Sequence, residues 1–552
     1  MADLPTYWHT VRHLRPIQVY GRLWFRLYRP KPDLSPAPGL RQICGPWAQP
    51  AAKAPSLLGP MTFRLLNETH TLARPGDWDE QGIDKLWRYN LHYFDDLNAR
   101  NAAGRHAWHR DLMTRWVAEN PPGQGTGWEP YPTSLRIVNW IKWVLAGNEL
   151  SQTCRQSLAV QARWLFRRLE IHLQGNHLFA NAKALVFVGL FFEGAEAKHW
   201  LDKGLSILER EVPEQILQDG GHFERSTMYH ALTLEDLLDL CNVTAAYHDA
   251  ISPGLQSRLA AWPAVIERMR QWLAAMCHPD GEIGFFNDSA MGIAPSPAEL
   301  DAYAGRMGFA PLPPLRDGVT NFADSGYIRI QHGPMTALLD VAPVGPDHLP
   351  GHAHADTLSF ELSLFGQRVV VNSGTSCYGL SPERLRQRGT AAHSTVVIDR
   401  ENSSEVWSGF RVARRAMPRL VSIDENSSEI KVTTCHNGYE RLPGKNIHQR
   451  SWTVLGNSLL IQDELSGPFS KAEAHFHLHP LIKIASRSAG ENKLVLWLPD
   501  GRNVFLTIEG GTVSLDASSW HPSFGCSEPN ICLVVQLRDQ VLRTTIDWSE
   551  HA

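Results

Sequence analysis

From about residue 80 to 280, apolar positions recur at helical spacing. In "TSLRIVNWIKWVLAG", Leu135, Val138, Ile141 and Leu145 share one face, Ser134 reads as the cap and Gly147 as the stop. Similar runs are "RQSLAVQARWLFRRLEIHL", "LFANAKALVFVGLFFEG", "KHWLDKGLSILEREV", "ALTLEDLLDLCNVTAAYH" and "PGLQSRLAAWPAVIERMRQWLAAM". Short polar links such as "QDGGHFERS" and "HPDGEIG" separate them, as in a bundle, solenoid or helical toroid. Between 290 and 320 the chain turns rich in Pro and Gly, a linker around a short helix. Beyond it the period falls to two in many short runs, among them "GYIRIQ", "TLSFELSLFG", "QRVVVNSG", "KLVLWLP" and "ICLVVQLRD". Alternation bounded by Gly, Asn and Asp turns predicts an antiparallel β-sandwich. The expected architecture is an α+β multidomain chain, a helical unit over 1–310 followed by a sandwich over 311–552.

One stretch joins this pattern to chemistry. In "GHAHADTLSFELSLFG", an extended strand would place His352, His354 and Asp356 on the same face as Leu358, Phe360, Leu362 and Leu364. A face that is apolar along its length and titratable at one end looks like a core running out into a pocket. Two clusters in the helical half add to it. In "LQGNHLFANAKAL", Asn176 reads as a cap with His177 at the helix start. In "DGGHFERSTMYHALTLEDLLDL", Ser226 or Thr227 caps a helix with Tyr229 in its first turn, where the helix dipole would lower a phenol's pKa and fit it for proton transfer. His393 enters a strand after "RGTAA", and Asn372 ends the run "VVV". His475, His477 and His479 also alternate on one strand face, where half-exposed histidines are a commoner reading than a metal site.

Composition narrows the classes. The 552 residues leave room for about two to four domains, and 43% apolar with 20% charged residues is ordinary globular usage. A formal charge of −4 and a pI near 6.7 give no electrostatic case for nucleic acid. The 19 tryptophans suit sugar rings, and many must also be core. Eight cysteines without a C-x-x-C pair read as free buried thiols. No run approaches ~18 consecutive apolar residues, so no transmembrane helix is expected. The segment "MADLPTYWHTVRHLRPIQVYGRLWFRLYRPKP" is too often interrupted by arginine for a cleavable signal, and reads as a membrane-surface or packing helix. G-x-S-x-G, P-loop, dinucleotide and H-E-x-x-H motifs are absent from the sequence.

Taken together, "GNHLFANAKALV", "DGGHFERSTMYHALTLEDLLDL", "GHAHADTLSFELSLFGQRVVVNSGT" and "AAHSTVVID" resemble the heparinase II/III-like polysaccharide lyases, related to alginate lyases. "WRYNLHYFDDL", "GWEPYPTSLRIVNWIKW" and "SSEVWSGFRVARRA" carry the likeness further, so that it covers about residues 85 to 480. The resemblance implies an (α/α) toroid followed by a β-sandwich. It also implies β-elimination on an acidic, uronate-containing polysaccharide in the periplasm, within exopolysaccharide or glycosaminoglycan-like metabolism. By the family's pattern Asn176 and His177 neutralise the uronate carboxylate, His177 can also serve as base, Tyr229 is the acid and can be the base, and His352 reaches the cleft. His354 and His393 match ligands of a structural zinc whose third ligand is an aspartate where this chain has Asn372. Since Asn brings no charge, the expectation is partial or no zinc unless Asp356 substitutes. Trp128, Tyr131, Arg136, Asn139 and Arg388 are further candidates for sugar and carboxylate contacts. The rival readings are glycoside hydrolysis or transfer on the same fold, for which Glu224 and Glu170 are the available acids, and a carbohydrate-binding protein without activity.

Overall fold

The computed structural model describes residues 3–488 and 492–548. Three long helices, Pro130–Leu145, Gly175–Phe191 and Thr227–Ala246, pack on one another at the centre of the helical half. The middle one is buried along nearly its whole length because "LFANAKALVFVGLFF" is apolar all round. His106–Glu119, Gln152–Arg167, Ala195–Gln215 and Trp262–Ala275 surround this layer, each turning its apolar stripe inward. The helix Pro130–Leu145 begins four residues before the expected cap. Ser134 donates to the Pro130 carbonyl inside it at 2.8 Å, and Tyr131 therefore falls in the first turn.

The central helices are also tied by buried charge. Asp239 receives Lys183 at 2.5 Å and a hydrogen bond from the Tyr303 hydroxyl at 3.1 Å, and it pairs with Lys142 as well. Lys183 reaches Asp236 at 2.7 Å. Each of the three helices contributes at least one member.

The C-terminal half is two antiparallel sheets facing each other across an aliphatic core. One has eight strands, in the order Pro418–Glu425, Glu429–Tyr439, Asn446–Leu455, Ser458–Leu465, Val541–Trp548, Asn503–Glu509, Lys493–Trp497 and Lys483–Ser488. The other runs Gly511–Trp520, Glu528–Leu537, Ala472–Leu478, Gln367–Val371, Phe360–Leu364, Met335–Asp340, Tyr327–His332 and Gly318–Phe322, with Val396–Ile398 paired onto Ala472–Leu478. Phe360–Leu364 is buried on both faces. Its even-numbered residues enter the sandwich core. Ser363 and Glu361 face the helical half, where Glu361 accepts from His278 Nε2 and the Phe285 amide, both at 2.9 Å. Arg329 and Arg368 donate to carbonyls of the same 275–283 segment.

The strand begins later than the alternation suggested. Residues 351–359 are turns and loop, and Leu358 takes a left-handed φ of 64°, which breaks the extended register. None of the eight cysteines is disulfide-bonded, but only Cys154, Cys277, Cys435 and Cys532 are buried, and Cys44 is exposed.

The charge cluster yields a stability test. Asp239→Ala would leave Lys142 without its closest partner and Lys183 with only Asp236, in a dry interior. Losing one member of a buried pair costs about 3–5 kcal/mol. Denaturant unfolding followed by tryptophan fluorescence should show a loss of that order in the helical transition.

Candidate active site

The first turns of the three central helices meet at one mouth. Tyr131 belongs to Pro130–Leu145, Asn176 and His177 to Gly175–Phe191, and Tyr229 to Thr227–Ala246. Helix N-termini carry partial positive charge and unpaired amides, so an anion is favoured there. The Tyr131 and His177 rings lie 4.6 Å apart. Gly175 has φ +53° directly after Gln174 at +59°, and a Cβ on Gly175 would meet Leu349 Cδ2 at 2.4 Å. Gln174, not Asn176, occupies the cap position, so the half-buried Asn176 amide is left without a hydrogen bond among the described residues.

His177 Nδ1 lies 3.2 Å from Glu170 Oε1, and Glu170 also accepts from Asn181 at 3.1 Å. Burial pulls the His177 imidazole down, but Glu170, with Glu224 and Glu129, outweighs it and leaves the pKa raised. Glu224 itself is buried, and neither carboxyl oxygen has a hydrogen-bond partner among the described residues. Burial raises its pKa, with His352 and His177 acting in the opposite sense.

The sandwich closes the mouth from above. The His352 ring stands 4.0 Å from that of Tyr229. Asp288, Arg384, Tyr378 and Glu224 complete the constellation, and sequence reasoning did not assign them to the elimination. "GFFNDSA", "NSGTSCYG" and "SPERLRQRG" have no spacing that marks them as a site. Asp288 is fully buried between His352 Nδ1 at 2.9 Å, His354 Nε2 at 2.9 Å and Arg384 Nη2 at 2.7 Å. Burial works against its charge, but Arg384 and the histidines hold its carboxyl well below the usual range. An ionised carboxylate only accepts, so His352 donates to it from Nδ1, and Nε2 is the ring nitrogen not engaged by Asp288.

Tyr229 corrects one expectation. Ser226 caps its helix, accepting from the Tyr229 amide at 3.1 Å, as the sequence indicated. The phenol pKa is nevertheless raised well above the ordinary value, through burial first and then Tyr378 and Asp288. Its hydroxyl lies 3.0 Å from that of Tyr378. Burial overrides the helix start and favours the protonated phenol over the phenolate.

Four substrate-contact candidates are committed elsewhere. Arg136 is fully buried, donating to Gln161 at 3.0 Å and to the His92 carbonyl at 3.2 Å over the Trp116 ring. Arg388 is buried on the Ala353 carbonyl at 2.8 Å, Asn139 donates to Tyr93 and Asp95, and Trp128 is a core indole bonded to Asn120. Each is buried and satisfies polar groups of the scaffold. Tyr131 alone of that set lines the mouth.

The metal expectation is also redistributed. Asn372 is buried with its amide donating to Phe285 and Ser359 and its oxygen accepting from Ser394. Its oxygen brings no charge to a metal. His354, Asp356 and His393 instead bring ligand atoms within 4.8 Å of one another, all buried. His354 donates from Nε2 to Asp288, which leaves Nδ1 facing His393 Nε2 at 3.2 Å. Burial keeps both imidazoles neutral, His354 down to about 4 and His393 to about 3. Two neutral imidazoles and a carboxylate, one histidine oriented by a second carboxylate, suit zinc.

Comparison with known proteins agrees with this architecture. Residues 80–299 match the heparinase II/III N-terminus, and residues 314–549 match the heparinase II/III-like C-terminal domain. A heparin-sulfate lyase of Bacteroides stercoris is 27% identical over 360 residues, 61% of this chain and 50% of that protein. FtsZ-localized protein C of Caulobacter vibrioides is 25% identical over 363 residues, 61% of this chain and 58% of that one. The chain thus spans between about half and three fifths of the length of these relatives. A crystal structure of heparinase III superposes with a TM-score of 0.72 at 18% identity, covering 88% of this chain and 81% of that one. The Streptomyces coelicolor A3 chondroitin AC lyase does so at 0.51 and 10% identity, covering 90% and 77%. The helical half is accordingly the toroid, the C-terminal half the sandwich, and the chain belongs to the heparinase II/III family.

Proposed function

We propose that the protein is a polysaccharide lyase that cleaves a uronate-containing polymer by β-elimination. The observation that carries this reading is the 4.0 Å approach of the His352 ring to that of Tyr229, above the Asn176–His177 mouth. The uronate carboxylate sits at the helix starts, taking hydrogen bonds from the Asn176 amide and the His177 imidazolium, which makes the C5 proton more acidic. Burial raises the Glu224 pKa, which lessens its repulsion of the substrate carboxylate. His352 Nε2 takes the C5 proton. The C4–O4 bond breaks, the Tyr229 hydroxyl gives its proton to O4, and the electron pair forms the C4–C5 double bond. Tyr378, bonded to Tyr229, stands ready to relay a proton back. A zinc held by His354, Asp356 and His393 would cross-link the 351–357 loop to the 390–393 turn. Hydrolysis has less support, because Glu170 is fixed on His177 and Asn181 and leaves no second free carboxylic acid beside Glu224. The heparin-sulfate lyase relatives favour a glycosaminoglycan-like substrate.

Absorbance of the unsaturated uronate, followed across heparan sulfate, heparin, chondroitin sulfate and alginate, tests the reading. Tyr229→Phe should lower turnover by about a hundredfold or more with thermal stability nearly unchanged. Near-normal turnover in that variant would move the acid role elsewhere. A protein that only binds sugar would produce no absorbance with any polymer.

A second expectation concerns pH. The folded pKa of His177 lies above its unfolded value of about 6.5. The stabilisation by Glu170 is therefore complete below about 6.5 and is lost as pH rises through the folded pKa. kcat/KM on an acidic polymer should fall over the same alkaline window. Glu170→Gln should move the fall to lower pH, and an NMR titration of His177 should follow it.

A further inference from the structure

Cys532 lies directly opposite His477 in the pairing of Glu528–Leu537 with Ala472–Leu478, and His475 lies one step along the same face. The Cys532 sulfur is 3.7 Å from His475 Nδ1 and 3.7 Å from His477 Nε2. A tetrahedral zinc with Zn–S near 2.3 Å and Zn–N near 2.05 Å requires an S···N edge of about 3.6 Å. Asp516 pairs with Cys532 from the other side, in the same row, and is exposed. Cys532 and His477 are buried, while His475 is half-buried and keeps a route from solvent. We propose that Cys532, His475 and His477 form a second metal site, for Zn²⁺, on the outer face of the nine-stranded sheet, with Asp516 or water in the fourth position. Binding exchanges the 2.9 Å hydrogen bond between His477 Nε2 and the Ala391 carbonyl for a metal bond. It also releases the thiol proton, which burial holds with a pKa near 12.

Cobalt(II) titration of the whole protein tests this, because a thiolate-to-cobalt charge-transfer band can arise only where a cysteine is a ligand. The His354, Asp356 and His393 set cannot give one. The expected result is a saturable band in the wild type that is lost in Cys532→Ser and in His475→Ala, with bound zinc falling by one per chain in each. His475→Ala is the safer variant for folding, since its ring is half-exposed. Absence of the band at cobalt saturation, or its survival in both variants, would overturn the proposal.

An independent observation concerns the N-terminal helices. In Pro16–Leu27, Val19, Tyr20, Leu23, Trp24 and Leu27 are all at least half exposed and lie on one face. The opposite side, with Gln18 and Gly21, packs on the protein. In Leu4–Val11, Leu4, Trp8 and Val11 form a like stripe, 84%, 63% and 47% exposed. Arg22 and Arg26 flank the first stripe and Arg29 follows it, all exposed and without an ion pair among the described residues. An apolar face edged by unpaired arginines complements a lipid surface that is apolar within and anionic at its headgroups. We infer that these helices dock the protein on an anionic membrane.

Co-sedimentation with phosphatidylglycerol–phosphatidylethanolamine vesicles should recover the protein, and pure phosphatidylcholine vesicles should recover much less. Trp24→Ser with Leu27→Ser should abolish binding, and Arg22→Glu with Arg26→Glu should weaken it and remove its salt dependence. The fold should be undisturbed in both, because the changed side chains face solvent. Equal recovery on both lipids would overturn the inference. So would failure to bind accompanied by concentration-dependent dimerisation, which would make a second copy the occupant.

Discussion

The candidate site depends on one buried ion pair. Asp288 and Arg384 have no exposed surface, and such a pair persists only where every lone pair and proton is matched. Here His352, His354 and Thr375 complete the set around the carboxylate. One charge therefore fixes the tautomer of the histidine above the mouth and of the histidine in the metal-ligand cluster. Asp288 lies in the segment between the helices Trp262–Ala275 and Pro297–Arg306 of the helical half, whereas Arg384 comes from the short helix Pro382–Arg388 and both histidines from a loop of the sandwich half, so the same contact also sets the two halves in register. The Glu361 contacts with His278 and Phe285 hold the neighbouring strand to the same segment.

Two groups at the mouth differ in which of their forms their surroundings favour. His177 has an ionised partner in Glu170, and its charged form is favoured. The Tyr229 hydroxyl is hydrogen-bonded to another phenol, that of Tyr378, and its neutral form is favoured. A cation for a carboxylate and a neutral donor for a leaving oxygen are what an elimination asks of its surroundings. The ionised Glu170 beside one group and the neutral Tyr378 beside the other make much of that difference.

Much of this was legible in the chain. Periodicity separated helices from strands, and the toroid and sandwich follow from it and from the family resemblance. Tyr229, Asn176, His177 and His352 lie together because each begins a helix or ends a loop at the boundary. The misjudged positions share a cause: a polar residue in a motif does not reveal whether its hydrogen bonds are already spent. Arg136, Arg388 and Asn372 are polar and central, yet all serve the scaffold. Conversely, Asp288 and Tyr378 acquire meaning only from partners about 60 to 150 residues away. Cys532 was invisible as a ligand for the same reason, since strand register, not sequence spacing, puts it beside His477.

Because the site is shared between halves, its completion is also ordered in time. A ribosome makes the toroid first, and domains generally fold as units from the N-terminal end. A nascent chain that has emerged only through residue 300 already carries Tyr229, Asn176 and His177, with Asp288 still lacking Arg384 and both histidines. His352 arrives with its loop, and the Asp288 that holds it is paired only after residue 384 has followed. Until then the growing chain holds the helix starts of the site without the histidine that faces them from the sandwich half.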